Sequence, residues 1–351
     1  MSRTLTDLMA HVESTVRHAI SPELGFLRHA FCTQIAGSGS RLHSTLTLLS
    51  AECAGGATHD SVVMASALEI IHLALLIHGG VEKDGISRDT WFPGKGIRHN
   101  QMSVLLGDCF FAMASKLAAM NGTSRLVPDL ESATAQVCRG QILALRAVGH
   151  TMSERQYVRM LRERGGDYLG VCARVGVQTA HGSDETAEAL QSSGQWLGIA
   201  LQFVEDLAAS VSGDRCAGPK GDFRHRRKGI VRELVSSPRP PGGQDEEIAW
   251  HRLDDMLRCA EEQLTRLRES GQTGMPPRVA GQTQLRVRLW LDYARRSLQR
   301  VPDSPAKQVY LEILGGLFPA LAMSGAVLHR LDIPGVSLVG RGPRPPEPVT
   351  R

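Results

Sequence analysis

The stretch LEIIHLALLIHGGVEKD, residues 68–84, constrains the fold of this chain more than any other. Its apolar residues Leu68, Ile71 and Leu75 recur at helical spacing, and no Gly or Pro interrupts the run before Gly79. The pattern predicts a buried helix that ends at a Gly-Gly pair. Because the residues change there from apolar to GGVEKD, we expect the end of this helix to reach a cavity or a surface. Any chemistry should be sought there.

The composition of the chain favours helices packed on helices. Apolar residues make up 42% of it and aromatic residues only 5%, while Leu, Ala and Val are abundant. With 351 residues, the chain is long enough to bury a sizeable core as one large domain or two. We therefore predict an all-α protein.

Charge, cysteine usage and hydropathy exclude several classes of protein. The net charge of +4 comes from 40 basic and 36 acidic residues dispersed along the chain, which is too weak a bias for nucleic-acid binding. The seven cysteines lie far apart without a CxxC pair, mostly in apolar surroundings typical of buried thiols, and this argues for a reducing cytoplasm. No stretch approaches the roughly 20 uninterrupted apolar residues of a membrane span, and the charged N-terminus is unlike a signal peptide. We expect a cytoplasmic protein without a transmembrane segment.

The central helix also resembles a known family. ALEIIHLALLIH followed by two small residues is similar to the helix of trans-isoprenyl diphosphate synthases, the polyprenyl synthetase family, that leads into a first aspartate-rich motif, DDxxD. The aligned residues here are Gly79, Gly80, Val81, Glu82 and Lys83, so all three aspartates are replaced and one position is a cation. The resemblance implies that the first metal site of the family is degenerate in this chain.

The family binds diphosphate through cationic elements, and this chain resembles them in part. The GKRLRP loop of the family matches residues 39–44 of this chain, where only one of its cations, an Arg, is kept. The Arg-Arg pair of the family matches residues 88–89, and its Lys-Thr pair matches residues 164–165. A basic loop, GKxxGxDLxxGK in the family, matches residues 213–230 with a short deletion. The candidate diphosphate-binding residues are Arg41, Arg88, Lys95, Arg164, Lys220, Arg227 and Lys228. For Arg41, the alternative is a solvated side chain in a flexible loop. For the basic loop, the alternative is docking of an acidic partner.

A second aspartate-rich helix is only partly retained. GQWLGIALQFVEDLAAS resembles the family's LGLAFQxxDDxxD, with Glu205 and Asp206 at the first two aspartates and Ala209 at the third. Adjacent residues on a helix diverge by about 100°, so this pair alone is a weak Mg²⁺ site, and a solvated acidic patch is the alternative. Mg²⁺ binding is therefore expected to be weakened.

Local signals place the helix ends and the histidines. Asp60 is a candidate N-cap for the central helix, and Ser153 with Gln156 forms a capping-box pattern. His72 and His78 lie about 240° apart around a helix, so they cannot ligate one ion together, and we expect His72 to form a hydrogen bond within the core.

The resemblance covers residues 20–330 and implies the isoprenoid synthase fold. In that fold, mainly antiparallel helices surround a central cavity, and the two aspartate-rich helices face each other across its mouth. We predict one helical domain over residues 1–335, with a surface linker near 236–245 that is rich in Pro and Gly, and a disordered tail over 336–351.

The function implied by the family depends on carboxylates that this chain has lost. Active members use a Mg²⁺ cluster to neutralise the leaving diphosphate, and here six motif carboxylates become two. We expect chain elongation to be lost or reduced by orders of magnitude. The leading hypothesis is a catalytically impaired partner or regulatory subunit of a prenyl diphosphate synthase, forming a homodimer or a heteromer with an active synthase and binding an isoprenoid diphosphate. The alternatives are a prenyltransferase or cyclase that uses Glu205, Asp206 and the basic loop, and an isoprenoid-binding or scaffold protein.

Overall fold

The computed structural model describes residues 4–20, 41–79, 97–120, 123–147, 153–211 and 277–323, and within them every regular element is a helix. In chain order the helices are α1 (Leu5–Ile20), α2 (Leu42–Cys53), α3 (His59–His78), α4 (Ile97–Met120), α5 (Val127–Arg146), α6 (Glu154–Leu161), α7 (Asp167–Thr179), α8 (Asp184–Val211), α9 (Pro277–Ser297) and α10 (Pro305–Met323). A π-helix, Arg162–Gly166, joins α6 to α7 without a break. The prediction of an all-α protein is confirmed.

The central helix predicted from the sequence is α3, and it lies in the core. Fourteen of its twenty residues are buried, and α1, α2, α4 and α7 all pack against it. Its N-cap is Thr58 and not Asp60, so that prediction is wrong. Thr58 is extended at φ −101° and ψ 178°, and its hydroxyl accepts from the Ser61 N–H while the Ser61 hydroxyl accepts from the Thr58 N–H. Asp60 instead lies in the first turn, where the helix dipole favours a carboxylate.

Glycines set how closely the helices approach α7. A Cβ added at Gly176 of α7 would lie 2.1 Å from the Thr47 carbonyl oxygen of α2. A Cβ at Gly194 of α8 would lie 2.6 Å from the carbonyl oxygen of Leu169. Only a residue without a side chain permits backbone contact of this kind. Helix α7 therefore packs closely on both α2 and α8, and α9 packs on α8.

Two helices, His59–His78 and Asn100–Met120, are long and apolar enough to cross a membrane by length and composition alone. Polar residues are scattered within both helices, so neither contains the uninterrupted apolar stretch that would have predicted a membrane span from the sequence. The most apolar part of the first is 78% buried, as is usual for a core helix, whereas that of the second is only 39% buried. Helix α4 thus keeps an apolar face outside the described core.

The cysteines differ in exposure more than the sequence predicted. Cys53 and Cys172 are buried, Cys109 is partly buried and Cys138 is exposed. Burial raises the pKa of Cys53 to about 11, although a hydrogen bond with Ser304 opposes the shift. Of the four cysteines described, two are therefore buried as predicted for most of them, and Cys138 is an exposed exception.

Candidate functional site

The end of α3 carries no carboxylate at the first motif position. Gly79 follows the last helical residue with φ −65° and ψ −15°, and its N–H donates to the Leu75 carbonyl at 2.9 Å. This right-handed conformation is open to any residue, so the absence of a side chain is not required by the backbone. The other degenerate positions, Gly80 and Lys83, lie outside the described residues.

His78 fixes the end of α3 against α4. Its Nε2 atom lies 3.1 Å from the Val104 carbonyl oxygen and 3.3 Å from Oδ1 of Asp108. Its ring lies so close to Gly107 that a Cβ added there would be 2.1 Å from Nε2. The Gly-Asp dipeptide of α4 therefore forms the surface on which His78 packs, a role that no local sequence signal indicated.

Arg41, the one cation kept in the loop before α2, points into the protein. Its Nη1 atom lies 3.7 Å from Oε1 of Glu69, and the two side chains are only 9% and 4% exposed. The Ser44 hydroxyl lies 3.0 Å from Oε2 of the same carboxylate. Arg41 also has a left-handed backbone at φ 44° and ψ 31°, which is uncommon outside Gly and Asn. The alternative of a solvated Arg is wrong, while its diphosphate role stays a prediction.

Two histidines stack beside this ion pair. The ring centroids of His43 and His72 are 4.0 Å apart, and His43 lies 5.2 Å from the ring of Tyr168. The Tyr168 hydroxyl donates to the Leu68 carbonyl at 2.6 Å. Burial lowers the pKa of His43 well below its ordinary value, and the neighbouring His72 lowers it further. Burial also lowers the pKa of His72, although Glu69 opposes the shift. Both imidazoles are therefore uncharged at neutral pH.

Arg164 and Gly165 lie in the π-helix between α6 and α7. A Cβ at Gly140 of α5 would be 2.6 Å from the Arg164 backbone N, and one at Gly198 of α8 would be 2.6 Å from the Gly165 carbonyl oxygen. The π-turn is thus packed between α5 and α8, and a glycine on each of these helices permits the close backbone approach. Single π-turns within α-helices are frequent at functional sites, and Arg164 is half-buried there.

The buried carboxylate of Asp167 forms a polar cluster beside the π-helix that the sequence did not predict. It accepts hydrogen bonds from Nε of Arg162 and from Nε2 of Gln195, both at 2.9 Å, and Asp167 is 8% exposed. Arg162 and Asp167 are five residues apart, which brings them together in a π-turn rather than an α-turn. A pattern search at three- and four-residue spacing therefore overlooks this pair.

The second motif lies within α8, which runs past Glu205 and Asp206 to Val211, but the placement of these two side chains lies outside what the structure describes. Five further candidates lie outside the described residues: Arg88, Lys95, Lys220, Arg227 and Lys228. In the described part of the chain, no three His, Cys, Asp or Glu side chains form a group that could hold a metal ion.

The described helices have the architecture of helical isoprenoid synthases. The crystal structure of a decaprenyl diphosphate synthase from Rhodobacter capsulatus matches with a TM-score of 0.65 and 26% identity, covering 91% of this chain and 96% of that one. The predicted isoprenoid synthase fold is confirmed. The sequence profile of polyprenyl synthetases matches residues 26–227, more than half of the chain. The protein belongs to the polyprenyl synthetase family.

Curated relatives match over part of their length. A short chain isoprenyl diphosphate synthase of Methanothermobacter thermautotrophicus is 26% identical over 189 residues, which cover 52% of this chain and 58% of the relative. Heptaprenyl diphosphate synthase component 2 of Geobacillus stearothermophilus is 26% identical over 204 residues, which cover 58% of this chain and 64% of the relative. The matched region thus spans less than two thirds of either relative.

Proposed function

We propose that this polyprenyl synthetase family member is catalytically impaired and acts as a partner or regulatory subunit of a prenyl diphosphate synthase. The observation that carries the proposal is the end of α3, where Gly79 stands at the first aspartate position in a backbone conformation that would accept Asp. A diphosphate leaving group needs its charge neutralised in a water-poor site, and each lost carboxylate removes a ligand for the metal ions that do so.

The residues around Arg41 support the same proposal. Arg41 is paired with Glu69, and His43 stands uncharged where the GKRLRP loop of the family has its second Arg. An uncharged imidazole provides no charge-assisted hydrogen bond to a phosphate oxygen, and a guanidinium already held by a carboxylate attracts an anion less strongly. Diphosphate affinity at this loop is therefore expected to be low.

The partner role is supported by a relative whose name states a multi-component enzyme, heptaprenyl diphosphate synthase component 2. By analogy, the partner of this chain would be an active prenyl synthase with intact aspartate motifs. Any Mg²⁺ or isoprenoid diphosphate in such a complex would be bound mainly by the active chain.

The test is product formation with and without a partner. The purified full chain is incubated with Mg²⁺, isopentenyl diphosphate and allylic diphosphates, alone and then with an active polyprenyl synthase from the same organism. We expect no elongation by the chain alone, together with co-purification and a changed rate or product length in the mixture. Robust elongation by the chain alone would refute the proposal, as would a mixture that behaves like the active synthase by itself.

A second candidate, an enzyme with altered prenyl transfer or cyclisation, is favoured by Arg164, which keeps a cation in the clamped π-turn. In that case, Glu205→Ala and Asp206→Ala should abolish turnover of an allylic diphosphate in a product screen. Turnover that survives both substitutions would reject this candidate.

A further inference from the structure

Three buried hydroxyl groups have no hydrogen-bond partner in the described part of the chain. They belong to Ser50 of α2, Ser193 of α8 and Tyr310 of α10, and all three residues are 0% exposed. A buried polar group without a partner is costly, and in folded proteins most such groups bond to protein or to ordered water. If the three hydroxyls lie together, they therefore define a site for a molecule that supplies the missing hydrogen bonds.

The packing of α2 on α7 fixes the level of Ser50. These two helices run in the same direction, because the ring of His43 lies 5.2 Å from that of Tyr168, and further along both helices a Cβ added at Gly176 would lie 3.0 Å from Cβ of Ser50. Ser50 is therefore level with Gly176, one helical turn beyond Cys172 on α7.

Helix α8 brings Ser193 to the neighbouring turn of α7. The two helices are antiparallel, since an added Cβ at Gly198 would meet the carbonyl oxygen of Gly165, and one at Gly194 would meet that of Leu169, both at 2.6 Å. Ser193 therefore lies between the levels of Leu169 and Cys172. One helical turn, about 5.4 Å along the axis, separates the levels of Cys172 and Gly176.

The hydroxyl of Tyr310 reaches the same place from α10. Burial raises the pKa of Tyr310, the nearby Ser193 hydroxyl opposes this shift, and the Cys53 and Cys172 thiols add to it. Cys53 lies one turn beyond Ser50 on α2, so the two cysteines lie on either side of the level of Ser50. The Tyr310 hydroxyl is thus close to Ser193 and near the level of Ser50.

The other polar groups beside this junction already have partners. The Thr47 hydroxyl donates to the His43 carbonyl at 2.9 Å, and the Cys172 thiol is hydrogen-bonded to Thr47. The Cys53 thiol is hydrogen-bonded to Ser304. The three unpaired hydroxyls therefore remain to be satisfied by something other than these side chains.

We propose that one ordered water molecule is bound at the junction of α2, α7, α8 and α10, with hydrogen bonds to Ser50, Ser193 and Tyr310. A buried water typically makes about three hydrogen bonds. Two hydrogen bonds of about 2.8 Å through one water span up to about 5.6 Å, enough to cross one helical turn. The Tyr310 hydroxyl donates to the water, and the water donates to the two serine oxygens.

The chemistry of the three groups favours water over other ligands. An apolar molecule would leave all three hydroxyls unpaired, and three uncharged hydroxyls do not compensate the charge of a buried ion. The water ties α10, which packs on α2 and α9, to α8 through hydrogen bonds in the core. The inference does not depend on the proposed function, because it concerns the packed core and not the end of α3.

The sign of the stability change on removal of a hydroxyl tests the inference. Tyr310→Phe and Ser50→Ala each remove a hydroxyl and little else. If a water is bound, each substitution breaks a hydrogen bond and should raise the unfolding equilibrium constant of the full chain about fivefold in urea denaturation. If the hydroxyls are unpaired, their removal relieves a desolvation cost and lowers that constant, which would overturn the inference.

A double-mutant cycle tests whether the hydroxyls share one molecule. Because loss of the water after one substitution removes it from the other hydroxyl as well, Tyr310→Phe combined with Ser50→Ala should raise the unfolding constant by clearly less than the product of the two single effects. Ser66→Ala is the matched control, since Ser66 is also 0% exposed but its hydroxyl donates to the Val62 carbonyl of its own helix. Its effect should multiply with that of Tyr310→Phe. Full multiplication for Ser50→Ala as well would refute a shared water.

A crystal structure of the parent chain, at a resolution that shows ordered water, keeps the inference testable if a variant fails to fold. We expect one water peak about 2.7–3.2 Å from each of the three hydroxyl oxygens. Hydroxyls that bond directly to one another, or a junction without density between them, would overturn the inference.

Discussion

Arg41 and Glu69 form a buried ion pair that links the start of α2 to the middle of α3, with Nη1 and Oε1 3.7 Å apart. We expect Glu69→Gln to lower the free energy of unfolding by about 3–5 kcal/mol, because removing one partner leaves a buried charge without its counterion. Urea denaturation of the purified variant measures the loss.

The matched control for this change is Glu13→Gln on α1. Glu13 also forms an ion pair with an Arg, Arg17, but the side chains of Glu13 and Arg17 are 41% and 43% exposed. Exposed pairs contribute about 0.5 kcal/mol or less, so the control should be nearly silent. If Glu69→Gln lowers the free energy of unfolding as little as Glu13→Gln does, the Arg41–Glu69 pair does not have the stabilising effect expected of a buried ion pair.

The stacked histidines predict a stability that falls in acid. The folded-state pKa values of His43 and His72 are lowered by burial, below the unfolded value of about 6.5. The unfolded chain therefore binds more protons as pH falls below that value, and stability that is complete above about pH 6.5 is progressively lost. Thermal unfolding from pH 8 to pH 5 measures this decline.

Carboxylates titrate over part of the same range, so the histidine share needs a variant. His43→Gln removes one imidazole and relieves the other of its neighbour. The difference in stability between parent and variant should therefore shrink as pH decreases from 7 to 5. A difference that is constant over this range would contradict the assignment.

The glycine contact between α8 and the π-helix predicts an unusual response to alanine. A Cβ at Gly198 would lie 2.6 Å from the Gly165 carbonyl oxygen and 2.7 Å from the Cα of Gly166, both backbone atoms. Gly198→Ala should therefore destabilise the protein by about 1–3 kcal/mol through overpacking. Replacing Gly by Ala within a helix ordinarily raises stability by about 1 kcal/mol, so a net loss would show that the overpacking outweighs the higher helix propensity.

Gly315→Ala on α10 is the comparison for Gly198→Ala. The nearest atom to its added Cβ is Nη2 of Arg295, at 2.8 Å, which is the end of a flexible side chain. This variant should be neutral or more stable by up to about 1 kcal/mol in urea denaturation. If both alanines stabilise the protein, α8 and the π-helix are not in backbone contact.

Restoring the first two aspartates should not restore elongation. Gly79 has a right-handed conformation, so Asp at position 79 introduces no backbone strain. In Gly79→Asp/Gly80→Asp, however, Lys83 and Ala209 still replace the third aspartate of the first and the second motif, and His43 still replaces a cation. Product analysis with Mg²⁺ and allylic diphosphates should remain at background. Clear elongation by the double variant would show that the first motif alone limits activity.

Apolar periodicity and helix-end residues predicted the central helix and one helix start correctly. The apolar spacing through Ile71 and the Gly-Gly pair gave α3 and its C-terminal end, and the pattern from Ser153 to Gln156 gave a capping box that the structure confirms. The N-cap was misplaced by two residues. Ser61 completes the reciprocal hydrogen bonds with Thr58, a pairing that Asp60 cannot form.

The contacts of the candidate site could not be read from local patterns. Arg41 and Glu69 are distant in sequence, and His43 meets His72 only because α2 packs on α3. The π-turn around Arg164 depends on two glycines from other helices, so no propensity within the segment signals it. The family resemblance identified Arg41 and Arg164 as candidates, but only the packing of α2 on α3 shows that Arg41 points into the protein.

Asp108 joins the end of α3 to the middle of α4, since its Oδ1 atom lies 3.3 Å from Nε2 of His78. His78 is the residue before Gly79, so a ligand that binds at the end of α3 and moves His78 must also change this contact. Asp108 is exposed, and a spectroscopic probe placed beside it on α4 would therefore report binding at the end of α3 without touching a motif position.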